Sequence, residues 1–163
     1  MTREIFTQLV SKELPSLRRF LLAACSGNSA EADDVAQEAL MKAYVASRSY
    51  DDEAGFSAWL YRIACNTLID HQRKQTTHGM TLDLDKAHEV AAVSRSDERF
   101  DYQELYGAID GLNVSERTAV LLFYMEDRPI KEICTIMNVT EGTVKGYLSR
   151  GRKHLREKLR VKN

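Results

Sequence analysis

Proline and glycine are scarce in this chain of 163 residues, which contains two prolines and eight glycines. Both residue types interrupt helices and mark turns, so their scarcity argues against a turn-rich β fold and favours helices. No apolar run approaches the roughly 18–20 residues that a membrane-spanning helix needs. Charged side chains interrupt the first segment, MTREIFTQLVSKEL, which therefore lacks the apolar stretch of a signal peptide. These absences predict an all-α protein with no membrane insertion.

Cysteine is also rare, and its spacing is informative. The three cysteines, Cys25, Cys65 and Cys134, lie far apart and form no Cys-x-x-Cys pair. An odd, scattered set of thiols is typical of a reducing compartment rather than of a disulfide scaffold. The sequence therefore predicts a cytoplasmic protein.

Residue patterns that are typical of enzymes are missing. The four histidines show no metal-ligand spacing with each other or with cysteine, and no glycine-rich phosphate loop is present. We therefore predict that the protein is not an enzyme and uses neither a metal nor a cofactor.

Charge is balanced over the whole chain but not along it. The formal net charge is −1, yet residues 145–163 carry eight lysines or arginines against a single acid, Glu157. Local asymmetry of this kind indicates a polyanionic partner better than bulk charge does.

Helical periodicity divides the chain into two small helical domains joined by a flexible linker. Apolar residues recur at helical spacing in 1–75 and again in 101–163, whereas 76–100 is polar and aperiodic. Pro15 predicts a kink or break near Leu14 in the first helix. Ser29 and Ser115 are the predicted N-caps of two later helices.

The last two predicted helices have the offsets of a helix-turn-helix, with a small Cys134, a turn at Asn138 and an N-cap at Thr140. In the second of these helices, an apolar stripe is predicted to face the core. It consists of Val144, Leu148, Gly151, Leu155 and Leu159. The opposite side is basic, as a DNA-reading helix requires, and consists of Lys145, Ser149, Lys153, Arg156 and Arg160. An ordinary helical hairpin with a solvated basic face is the alternative.

The helix after residue 55 combines aromatic, asparagine and arginine side chains, which together can stack on and bond to unpaired bases. Its polar and aromatic candidates are Trp59, Tyr61, Arg62, Asn66, Asp70, His71, Arg73 and Lys74. Trp59 taken alone suits a core position, and the acids at 33–38 taken alone suit a solvated face.

Two segments closely resemble the bacterial extracytoplasmic-function (ECF) sigma factors. Region 2 of that family is similar to DDVAQEALMKAYVASRSYDDEAGFSAWLYRIACNTLIDHQRK, and region 4 to LNVSERTAVLLFYMEDRPIKEICTIMNVTEGTVKGYLSRGRKHLREKL. The resemblance implies a dissociable initiation subunit that brings the RNA polymerase core enzyme to promoter DNA. It also implies an anti-sigma factor as a regulatory partner, and a linker whose acids Asp83 and Asp85 occupy the path of nascent RNA.

The same resemblance assigns roles to individual positions. Binding of the polymerase core is assigned to Asp34, Gln37, Glu38 and Met41. Recognition and melting of the −10 element is assigned to Tyr50, Phe56, Trp59, Arg62 and Asn66. Recognition of the −35 element is assigned to Gly142, Thr143, Lys145, Gly146, Ser149, Arg150 and Lys153.

Three features depart from the family pattern and bear on the promoter sequence. Asn113-Val114 replaces the proline that usually follows the leucine. Gly146-Tyr147 stands where Ser followed by Arg or Thr is frequent, and Asp51-Asp52-Glu53 makes the base-capture loop acidic. The rival class is a helix-turn-helix regulator that acts without polymerase. It requires a ligand or phosphoacceptor domain, and residues 1–75 have no βα alternation to build one.

Overall fold

The computed structural model describes residues 1–50, 55–78 and 97–160, with side chains at all of these positions except 76–78, 97–103 and 160. All regular structure within these ranges is helical, which confirms the all-α prediction. The expectations for Asp51-Asp52-Glu53, Asp83 and Asp85 concern positions outside the described residues.

Within the described ranges, three helices build the N-terminal module and four build the C-terminal module. The first three are α1 (Arg3–Ala24), α2 (Ser29–Ala46) and α3 (Phe56–His78), with a 3₁₀ turn at Ser47–Ser49 after α2. The others are α4 (Asp97–Asp110), α5 (Val114–Val120), α6 (Ile130–Met137) and α7 (Glu141–Arg160), with a π-helical turn at Leu121–Met125 after α5. Helices α3 and α4 thus extend into the segment 76–100 that the sequence predicts to be a linker.

Helix α1 continues through Pro15, so of the predicted kink or break near Leu14 the break is wrong and the kink stays a prediction. A proline inside a helix lacks the N–H that would bond to the carbonyl four residues earlier. In the next two turns, Leu17, Phe20 and Leu21 are fully buried. Their packing against the core offsets the missing hydrogen bond.

Asparagines, not the predicted serines, cap α2 and α5. The Asn28 side chain accepts a hydrogen bond from the amide of Glu31 at 3.1 Å, and Asn113 accepts one from the amide of Glu116 at 2.8 Å. Ser29 and Ser115 therefore lie inside the first turns. Asparagine and serine are similarly good N-caps, so local preference alone does not place these boundaries.

The predicted helix-turn-helix is confirmed in α6 and α7. Asn138 adopts the left-handed conformation, with φ 57° and ψ 50°, and the Val139 amide bonds to the carbonyl of Cys134 at 3.2 Å. Thr140 caps α7, since its hydroxyl accepts a hydrogen bond from the amide of Thr143 at 3.2 Å. This turn leaves the first residues of α7 at the surface.

The two modules pack directly on each other through polar contacts. Tyr61 of α3 is fully buried, and its hydroxyl lies 2.5 Å from that of Ser16 and donates a hydrogen bond to Glu126. Arg128 lies 4.4 Å over the Tyr61 ring and donates to Ser57 at 2.6 Å. Burial raises the pKa of Tyr61, so the hydroxyl remains protonated and donates. The expectation that Tyr61 faces unpaired bases is therefore wrong for this arrangement.

Candidate nucleic-acid interface

The basic side of α7 is solvent-exposed. Five of the seven positions assigned to the −35 element are exposed, and Thr143 and Gly146 are half-buried. We call this set the recognition face: Gly142, Thr143, Lys145, Gly146, Ser149, Arg150 and Lys153. On the core side, Val144, Leu148 and Gly151 are buried as predicted, but Leu159 is exposed. The apolar stripe thus leaves the core in the last turns of α7.

Intramolecular contacts hold two cations of the recognition face. The ammonium of Lys145 lies 3.1 Å from the carboxylate of Glu141. Nε of Arg150 donates a hydrogen bond to the carboxylate of Glu116 at 3.3 Å. The guanidinium of Arg150 lies 5.8 Å from the ring centroid of Tyr147. A Cβ at Gly146 would lie 3.1 Å from a terminal nitrogen of Arg150, so glycine at this position leaves space for the guanidinium.

The structure brings the three aromatic residues assigned to the −10 element together. The ring centroid of Tyr50 lies 5.9 Å from that of Phe56 and 5.1 Å from that of Trp59. The ring centroids of Phe56 and Trp59 lie 5.5 Å apart, and all three side chains are half-buried. We call these residues the aromatic cluster. Arg62 and Asn66 are exposed on the next turns of α3, where they continue the face that Trp59 begins.

All four positions assigned to polymerase binding lie on the exposed side of α2. Asp34, Gln37, Glu38 and Met41 are exposed, and Met41 retains 71% of its accessible surface. On the other side of the same helix, Val35, Ala36, Ala39 and Ala43 are buried against the core. We call the exposed side the α2 face.

No group of three or more His, Cys, Asp or Glu side chains among the described residues is placed to hold a metal ion. No helix in the described ranges has both the length and the apolar character to cross a membrane.

Comparisons with known proteins agree with this geometry. Residues 9–77 match the family model for sigma-70 region 2, and residues 102–155 match that for sigma-70 region 4. The chain is 37% identical to the ECF sigma factor SigW of Bacillus subtilis over 82% of this chain and 78% of SigW. It is 31% identical to SigM of Mycobacterium tuberculosis over 94% of this chain and 76% of SigM. The chain belongs to the ECF sigma factors.

Two solved structures share this fold. RpoE of Bartonella quintana, in complex with the anti-sigma factor NepR, matches with a TM-score of 0.74 and 25% identity over 98% of this chain and 99% of RpoE. CnrH, in complex with the cytosolic domain of CnrY, matches with a TM-score of 0.71 and 21% identity over 99% and 92% of the two chains. As a sigma factor, this protein directs RNA polymerase to promoters, as the sequence predicted.

Four residues of this sigma factor, two exposed and apolar and two buried and charged, were not predicted from the sequence. Tyr44 and Val45 extend the apolar part of the α2 face and are 50% and 74% exposed. The helical spacing of Met41 and Val45 could have revealed this extension. Glu116 and Arg117 are buried charged residues with distant partners, and no local pattern signals them.

Proposed function

We propose that this sigma factor divides polymerase binding, −10 recognition and −35 recognition among three surfaces. Residues 1–75 bind the polymerase core and recognise and melt the −10 element, residues 101–163 recognise the −35 element, and residues 76–100 link them. The protein acts in the cytoplasm as a non-catalytic initiation subunit. The observation that carries this proposal is the exposed recognition face on the second helix of a helix-turn-helix.

The recognition face supports a division of labour along α7. In this motif the N-terminal residues of the second helix contact base edges, and later cations follow the phosphates. Lys145 lies in the first turns and Lys153 lies two turns further along, and both are exposed. Lys145 contacts bases on this proposal, and Lys153 contacts phosphates. Lys145 first has to leave Glu141, which is an inexpensive step because the pair is exposed.

Lys145→Ala and Lys153→Ala are therefore expected to change DNA binding in different ways. The first should relax preference at one position of the −35 element, because a direct base contact is worth about 1–3 kcal/mol. The second should weaken binding to all sequences alike and reduce the log–log salt slope by about 0.9. Affinities for a library of −35 variants at several salt concentrations distinguish the two. If both variants weaken every promoter by one common factor, Lys145 is a phosphate contact and the placement of α7 is wrong.

The aromatic cluster supports capture of an unpaired base at the −10 element. Aromatic rings stack on bases with about 1–3 kcal/mol each, and an asparagine amide can bond a base edge. Tyr50, Phe56 and Trp59 supply the rings, and the exposed Asn66 supplies the amide from the same face of α3. Extruding a base costs a few kcal/mol, which these contacts offset.

Asn66→Ala is expected to impair promoter opening more than closed-complex binding. Loss of one hydrogen bond of about 1 kcal/mol lowers the open fraction roughly fivefold. Permanganate reactivity of the −10 thymines measures this fraction, and a pre-melted template should partly restore it. Gln8→Ala removes an exposed amide from α1 and serves as the control. Equal opening by Asn66→Ala and the wild type on duplex DNA would exclude this role.

The α2 face supports docking on the polymerase core. It combines acids with exposed apolar side chains, whereas a merely solvated helix face has few of the latter. Met41, Tyr44 and Val45 retain at least half of their surfaces. Among the similar solved structures, RpoE is bound to an anti-sigma factor, and we propose that a partner of this class also regulates the present protein.

A further inference from the structure

Glu116 is a buried carboxylate directly beneath the recognition face. It occupies the third position of α5 and is 3% exposed. In a capping box, a glutamate at this position bonds back to the amide of the N-cap residue. The carboxylate here contacts α7 instead. One oxygen accepts a hydrogen bond from Nε of Arg150 at 3.3 Å, and the other lies 3.4 Å from Nδ1 of His154.

Gly151 allows this contact between α5 and α7. A Cβ at this position would lie 2.6 Å from a methyl group of Val120 and 3.8 Å from the carbonyl oxygen of Glu116. At such a short distance either the Val120 side chain or one of the helices would have to shift, and glycine avoids this shift. Arg150 and His154 flank Gly151 at offsets of one and three residues, which places both beside the buried carboxylate.

The contact restrains Arg150 without covering it. A buried carboxylate requires a cationic partner, so Glu116 favours the conformation in which Arg150 lies beside it. The Arg150 side chain nevertheless remains 57% exposed. Only Nε bonds to Glu116, and the two terminal nitrogens make no hydrogen bond to any described residue. These are the nitrogens with which an arginine reads O6 and N7 of guanine.

We propose that Glu116 is a positioning residue for −35 recognition: it fixes the guanidinium of Arg150, through Nε, so that the terminal nitrogens face a base edge. This inference rests on the proposed contact of Arg150 with the −35 element. On this proposal, Glu116 raises the specificity for the −35 element and lowers the general affinity for DNA. A negative charge close to DNA weakens attraction to phosphates, while the fixed guanidinium sharpens the choice of base pair.

Glu116→Gln separates these two effects, because glutamine keeps the side-chain size and removes the charge. The matched control is Glu157→Gln, which removes one exposed acid from the same helix-turn-helix module. Each variant is assembled with the polymerase core, and its affinity is measured for promoters with every base pair at each −35 position and for non-promoter DNA. Arg150→Ala and the double variant Glu116→Gln/Arg150→Ala complete the set. Thermal melting reports the fold of each variant.

Arg150→Ala is expected to reduce preference at one base pair by about 5- to 100-fold. Glu116→Gln should reduce preference at the same base pair by at least about 3-fold, with no loss of affinity for non-promoter DNA. The double variant should be no less selective than Arg150→Ala, because the two residues act through one contact. Glu157→Gln should leave every preference unchanged.

Two outcomes with the Glu116 variants overturn the inference. One is a Glu116→Gln variant with unchanged −35 preference. The other is a double variant whose loss is the sum of the single losses. If Arg150→Ala itself changes no preference, the placement of Arg150 at the −35 element fails instead.

Arg150→Lys is a further test that leaves Glu116 intact. Lysine keeps the positive charge but has no planar pair of terminal nitrogens. This variant should lose the preference for one −35 base pair and keep the salt slope, and a wild-type preference would contradict the inference.

Discussion

Replacing Arg117 with methionine is expected to lower the free energy of unfolding by about 3–4 kcal/mol. Arg117 is 8% exposed and lies between the modules. It donates to the carbonyls of Ala24 and Leu112 at 2.9 Å and to that of Ile109 at 3.2 Å. It also donates to the side chain of Gln72 at 2.8 Å. Methionine fills a similar volume but leaves these buried acceptors without their donor.

The position of Arg117 explains why the loss is large. Ala24 ends α1, and Ile109 lies in the last turn of α4, so one guanidinium serves the negative ends of two helices. Burial lowers the pKa of Arg117, and the Asp110 carboxylate opposes this shift. Urea titration followed by circular dichroism measures the change. Arg18→Met, at an exposed position of α1, is the control and should alter stability by at most about 0.5 kcal/mol. Equal stabilities of the two variants would show that water or other donors satisfy the acceptors.

The double variant Asp34→Arg/Glu38→Arg is expected to weaken binding of the polymerase core by about 100-fold or more, since like charges at a docked interface cost several kcal/mol. Both acids are exposed on the α2 face, and the opposite side of the helix packs into the hydrophobic core of the protein itself. The fold should therefore be retained. A titration of labelled protein with purified core enzyme, in the absence of DNA, measures the dissociation constant.

Glu4→Arg/Glu157→Arg is the control for the α2 face. It makes the same change in net charge at exposed positions outside α2. Its affinity for the core should differ from that of the wild type by less than about threefold, because separated surface charges are screened at physiological salt. Equal losses in the two double variants would mean that overall charge, and not the α2 face, controls docking.

Local rules predicted much of the fold from the sequence. Asn138 in the turn and Thr140 as N-cap of α7 depend on neighbouring backbone groups, and both predictions are confirmed. The buried part of the α7 stripe likewise follows from helical spacing, with Val144 0% and Leu148 2% exposed. Features that depend on residues within about four positions along the chain are accessible to such rules.

Features that depend on distant partners were not predicted. Tyr61 has an aromatic ring that could stack on a base. It is instead buried between the modules, where its hydroxyl contacts Ser16 and Glu126. Glu116 resembles a capping-box glutamate, and only the approach of α7 shows that it pairs with Arg150. Spacing along one helix contains no information about the helix that packs across it.

The packing of the two modules also limits what the protein can reach. A chain of this length, when compact, has a radius of gyration of about 15 Å and is about 40 Å across. The −35 and −10 elements are about 25 base pairs apart, or roughly 85 Å along B-DNA. A sigma factor that touches both elements at once must therefore separate Tyr61 and Arg117 from their partners across the module boundary. Each 1.4 kcal/mol or so by which these contacts stabilise the compact form makes simultaneous occupancy of both elements about tenfold weaker.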